Sequence, residues 1–146
     1  MPSAVHEEFV ATIVGDIAQK LCDIARSSSP SAIFAGLVRD SRSTTITFDD
    51  PDYGRHDPDA SFRHSDAQYP GVIVEVAYSQ KARALPRLAD EYILGSDGNI
   101  RVMVGFNIGY SHKMATVSVW RAGRLTHGGG VELTAEKVVT DQVRWI

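Results

Sequence analysis

The sequence predicts a small α/β domain, and three observations carry that expectation. An apolar stripe with helical period opens the chain, short β-rich runs with period-two alternation follow, and a second helical stripe separates two groups of such runs. At 146 residues and 43% hydrophobic content the chain can bury one good core, so residues 1–146 are expected to form a single domain.

Taken in order, Val5, Phe9, Ile13, Ile17, Leu21 and Ile24 recur at spacings of three and four, which predicts an amphipathic helix from about Val5 to Ile24. Gly15 weakens it slightly and Ser27-Ser28-Ser29-Pro30 ends it. The apolar stretch from Ala32 to Val38 has no clear period. Thr44 to Phe48 alternates and is rich in β-formers, so it reads as a first strand, with Asp49 to Gly54 as a turn. Two strands follow, at about Asp59 to Arg63 and Gly71 to Ala77, joined by a polar connection ending in Tyr69-Pro70-Gly71. A second helix runs to about Leu94, with Pro86 near its first turn, where a missing N–H costs nothing. Leu85, Leu88, Ala89, Tyr92 and Ile93 make its apolar face. Gly95 to Asn99 stops it, and Ile100 to Ile108 and Ala115 to Arg121 are two further strands linked by a polar turn. Gly128-Gly129-Gly130 reads as a flexible hinge, and the extension it opens, 128–146, ends in either an edge strand or a loose helix.

Fifteen basic against eighteen acidic residues give a formal charge of -3, which excludes a surface that is basic all over, so contact with nucleic acid must be local. The lone Cys22 rules out an internal disulfide, and a reducing, intracellular compartment, nucleus or cytoplasm, is the expectation. No run approaches the ~20 apolar residues of a membrane span, and the first residues lack the charged start and apolar core of a secretory signal.

Two acids stand out. Glu75 interrupts the apolar run Val72-Ile73-Val74-Glu75-Val76-Ala77, and Asp59 follows Pro58 at the start of the preceding strand. A carboxylate inside such a strand must be paired, protonated or bound to a cation. Alternation puts Ile73, Glu75 and Ala77 on one face and Val72, Val74 and Val76 on the other. If the two strands are neighbours, Asp59 and Glu75 can share a hard divalent ion, with the Val76 carbonyl as a third oxygen. Such an ion would activate water and bind a scissile phosphate, with a second ion about 4 Å away to stabilise the attacking and leaving oxygens.

Pro58-Asp59 followed by Glu75-Val76-Ala77, within helix, three strands, helix, strand, resembles the PD-(D/E)xK nuclease superfamily over roughly Val5 to Trp120. The longer segments His56 to His64, Tyr69 to Val76, Tyr78 to Lys81 and Leu88 to Gly95 resemble more narrowly a fungal group of restriction-endonuclease-like domains of unknown role. The resemblance implies a restriction-endonuclease-like fold and a Mg²⁺- or Mn²⁺-dependent nuclease, with Asp59 and Glu75 as metal ligands and an acid of the first helix, Glu7 or Glu8, reaching the same site. The implied partner is nucleic acid, DNA ahead of RNA, and many nucleases of this fold act as homodimers. One departure stands against activity: the superfamily usually carries lysine two residues after the second acid, and this chain has Ala77. A cation from beyond the strand, where Lys81, Arg83 and Arg87 lie, would have to replace it, with Lys81 the first candidate, Arg87 at the helix start the second, and Gln80 an uncharged group to orient water.

Plainer roles compete for each residue. Asp59 after Pro58 suits a turn or cap, Glu75 suits an ion pair with Arg63 or Lys81, and Glu7 and Glu8 suit the positive end of the helix dipole. Lys81, Arg83 and Arg87 suit wet surface, and Tyr92 and Trp120 suit the core. The five histidines show no metal-type spacing, and His56 and His64 read as loop residues. A catalytically inactive binding or assembly module, or a hydrolase of another phosphate ester, therefore stands beside the nuclease.

Overall fold

A computed structural model describes residues 3–78, 81–109 and 114–144, the last four by their backbone; Gln80 and residues 110–113 of the turn predicted between the final two strands lie outside that set. The elements are α1 (Ala4–Ala25), α2 (Ala32–Gly36), β1 (Val38–Asp40), β2 (Ile46–Thr47), β3 (Arg55–His56), β4 (Ala60–His64), β5 (Val72–Tyr78), α3 (Leu85–Gly95), β6 (Val102–Gly109), β7 (Met114–His127) and β8 (Gly130–Arg144). Six strands form one sheet in the order β1-β4-β5-β6-β7-β8, with β5 and β6 parallel across the α3 crossover and every other pair antiparallel. The molecule is α/β with a mixed sheet and flanking helices.

Period-two alternation in β5 builds both layers at once. Ile73 and Ala77 join Leu85, Ala89, Tyr92, Ile93, Met103 and Trp120 on the α3 side, while Val74 and Val76 join Phe9, Ala60, Phe106 and Ile108 on the α1 side. Gly105 lies opposite Glu75 in the β5–β6 ladder, and a Cβ there would stand 3.0 Å from Trp120 and 3.2 Å from Leu85. Only a residue without a side chain lets those two close over the sheet.

Several predicted elements shift. The predicted first strand, Thr44–Phe48, shrinks to Ile46–Thr47 and pairs with β3 in a separate two-stranded ribbon. The unassigned Ala32–Val38 stretch holds α2 and the start of β1, which takes the sheet edge instead. His56 and His64 belong to β3 and β4 rather than to loops. Gly128–Gly130 is no hinge: it closes the β7–β8 hairpin, where His127 pairs with Gly130 and Gly130 adopts a φ of 131° that favours glycine. The ambiguous tail becomes β8, zipped along β7 through fourteen paired positions, and its short-range sequence pattern did not reveal this because its stability comes from the partner strand. In α1 the buried stripe is turned slightly from the predicted one: Phe9, Val10, Ile13, Val14 and Ile17 pack on the sheet, while Val5 and Ile24 are exposed. Among the described residues no helix is long and apolar enough to cross a membrane.

Candidate functional site

The β4–β5 ladder ends at Ala60↔Val74, so the next residue of β5 with the same orientation, Val76, finds no strand partner on that side. Side chains serve its backbone instead. Val76 N–H donates to Asp59 Oδ2 at 2.7 Å, and the Val76 carbonyl lies 3.2 Å from His6 Nε2. The same His6 nitrogen is 3.3 Å from Asp59 Oδ1. Asp59 stands just before β4, at the position that would oppose Glu75 if the register continued.

Three elements hold these groups. Pro58 is fully buried and fixes the backbone ahead of Asp59. Tyr92 of α3, itself fully buried, donates from its hydroxyl to Glu75 Oε1 at 2.6 Å. Ser3 caps α1 by accepting from His6 N–H and is 2.7 Å from the Tyr78 hydroxyl at the end of β5, which ties the first turn of α1 to the strand that carries the acid. His6 is thereby buried against the sheet, its ring 5.9 Å from that of Tyr78.

Electrostatics follow from this crowding. Burial pushes the Glu75 carboxyl up to about 8; the Tyr92 hydrogen bond works against that rise, and the charge and hydrogen-bonding proximity of Asp59 add to it. Burial, then the negative charge of Glu75, holds the Tyr92 hydroxyl protonated far above the ordinary tyrosine range.

Of the residues named from sequence, Asp59, Glu75 and the Val76 carbonyl come together. Glu75 pairs with neither Arg63 nor Lys81; Tyr92 is its partner. Lys81 lies exposed in the 3₁₀ turn Lys81–Ala84, and Arg87 is exposed on α3 with Nε 3.8 Å from Glu91 Oε1; neither is among the groups whose charge acts on Glu75. Glu8 is exposed on α1, and Glu7 reaches only the far nitrogen of His6, Nδ1, at 3.7 Å. Helix α1 does send a side chain to the acids, but it is His6, missed in the sequence although it sits three residues before Phe9 on the buried face. A second missed group is His56, whose Nε2 is 2.7 Å from Glu91 Oε2, close though not aligned as a hydrogen bond, and whose ring lies 5.1 Å from that of Tyr92. Arg87, Glu91 and His56 thus lie next to one another on the outer side of Tyr92, whose hydroxyl reaches Glu75.

The donor chemistry suits a divalent cation: two carboxyls and a carbonyl meet at one notch, and burial pushes one of the carboxyls up to about 8. The side chains do not already surround a point, since among the described residues no three of His, Cys, Asp or Glu are grouped to hold a metal. Glu75 leans to Tyr92 on one side of the sheet and His6 meets Asp59 on the other. Compared with protein-family models, curated proteins and solved structures, the chain matches none.

Proposed function

We propose that this chain is a metal-dependent nuclease of restriction-endonuclease-like architecture, hydrolysing phosphodiester bonds of nucleic acid, with DNA ahead of RNA. One observation carries the reading: Asp59 and Glu75 stand at opposed strand positions beside the Val76 carbonyl, and burial, with the charge of Asp59 added, pushes the Glu75 carboxyl up to about 8. Bound there, Mg²⁺ or Mn²⁺ would supply a Lewis acid for the scissile phosphate and a water of lowered pKa. Asp59 and Glu75 hold the ion, Tyr92 fixes the Glu75 carboxyl by donating to Oε1, and burial of the α3 face keeps bulk water from that side. Lys81 or Arg87, exposed basic groups of the turn and the helix that follow β5, would supply charge for the pentavalent phosphorus.

A different observation favours an inactive binding module. Ala77, where the superfamily usually carries lysine, is buried in the α3 core at 7% exposure. The test is a Mn²⁺ titration of the wild type, Asp59→Ala and Glu75→Ala, followed by incubation with DNA and RNA in Mg²⁺ or Mn²⁺. Binding and cleavage that both variants lose support the nuclease. Binding without cleavage favours the module, and no binding removes the metal site altogether.

A further inference from the structure

We infer that His6 is the α1 ligand of this cation site, binding through Nε2, with Glu7 as the carboxylate on its other ring nitrogen. The inference rests on the metal-site reading above and adds to it a nitrogen donor and hence a preference among ions.

Geometry is the first support. His6 Nε2 lies 3.3 Å from Asp59 Oδ1 and 3.2 Å from the Val76 carbonyl oxygen. An octahedral ion with bonds of about 2.1 Å spaces adjacent ligands about 3.0 Å apart, so the nitrogen stands from each oxygen at nearly the separation of neighbouring ligands. The second support is the far side of the ring. Nδ1 is buried and has no hydrogen-bond partner, yet Glu7 Oε1 is 3.7 Å away on an exposed side chain that can swing closer. Histidines that bind metals characteristically give their second N–H to a carboxylate, which fixes the tautomer and leaves the ligating nitrogen its lone pair. The third support is local rigidity, because the Ser3 cap and its contact with Tyr78 anchor the turn that carries His6 to the same strand as Val76.

An imidazole among the donors shifts preference from Mg²⁺ towards first-row transition ions, since nitrogen is a softer ligand than carboxylate or carbonyl oxygen. Manganese is the probe of choice because its electron spin reports bound nitrogen directly. Mn²⁺ is titrated into the full chain, and pulsed EPR is recorded on the wild type with natural-abundance and with ¹⁵N-labelled histidine, on His6→Gln and on Asp59→Asn. Glutamine keeps an N–H donor for the Val76 carbonyl, so circular dichroism should show a folded variant, and the labelled wild type gives its answer even if it does not. The expected result is a histidine nitrogen coupling in the wild type that His6→Gln abolishes. With it should come an affinity loss of no less than the about 10- to 100-fold that removal of an outer partner causes, larger for Mn²⁺ than for Mg²⁺. Mn²⁺ bound by the wild type without nitrogen coupling, or held as tightly or more tightly by His6→Gln, overturns the ligand role of His6 and leaves the carboxylate site standing provided Asp59→Asn still weakens binding. No Mn²⁺ binding by the wild type overturns both.

Discussion

Over eleven residues α3 buries Leu85, Ala89, Tyr92 and Ile93, whereas α1, at twice that length, buries only His6 and Phe9. The two helices cover opposite faces of β5, and each reaches one of the paired acids: α3 holds Glu75 through Tyr92, α1 meets Asp59 through His6. Glu75 is therefore set by a dry, close-packed layer in which Tyr92, Ile93, Ile73 and Met103 are fully buried. Asp59 is set by a helix whose remaining apolar contacts are half-buried. What the difference teaches is a division of labour: one carboxyl is held rigidly because the core makes it so, and the other depends on a helix cap and a short strand end.

The sharpest way to break this comparison is to remove equal volume from each side. Ile93→Ala should cost about 2–5 kcal/mol, because a dense layer relaxes little around the cavity, while Ile17→Ala on α1 should cost about 1 kcal/mol, in the ordinary range for point changes. Urea unfolding of both variants checks this, and equal losses would erase the contrast. Next in size, Gly105→Val should cost about 1–3 kcal/mol by overpacking against Trp120 and Leu85, read as a fall in thermal midpoint.

The Glu75 proton gives the third test. Its folded carboxyl titrates at about 8 against 4.5 for the unexceptional group, so between those pH values the native chain keeps a proton that the unfolded chain has lost. Stability is full below pH 4.5 and declines as pH rises to about 8, by no more than about 1.4 kcal/mol per pH unit. In Glu75→Gln the decline should vanish, and a wild-type curve equally flat over that window would refute the assignment. The smallest effect expected is that of Tyr92→Phe, about 1 kcal/mol for one lost hydrogen bond. Because the Tyr92 hydroxyl lowers the Glu75 pKa, its removal should move that carboxyl further upward in a ¹³C NMR titration.

Much of this was legible from the residues. The alternation of Val72 to Ala77 gave both faces of β5, and Pro86 with Leu85, Ala89, Tyr92 and Ile93 gave α3, because each pattern records which side of one element meets the core. Pairing between distant segments left weaker marks. Short β1 and the tail strand β8 are stabilised by Arg63, Phe62 and the length of β7 opposite them, not by their own composition. His6 shows the same limit at the site: its place on the buried face of α1 was readable, but its distance to Asp59 depends on where that face docks.

Chain order and side-chain period alone determined an α/β protein in which an acid interrupts a buried strand, since those features are local and each follows from the geometry of a single helix or strand. The tertiary structure alone decided that β4 stops short of Val76, that Tyr92 and Asp59 become the neighbours of Glu75, and that His6 rather than Glu8 reaches the notch. Contacts of that kind join residues up to 75 positions apart, and only packing of the helices on the sheet sets them.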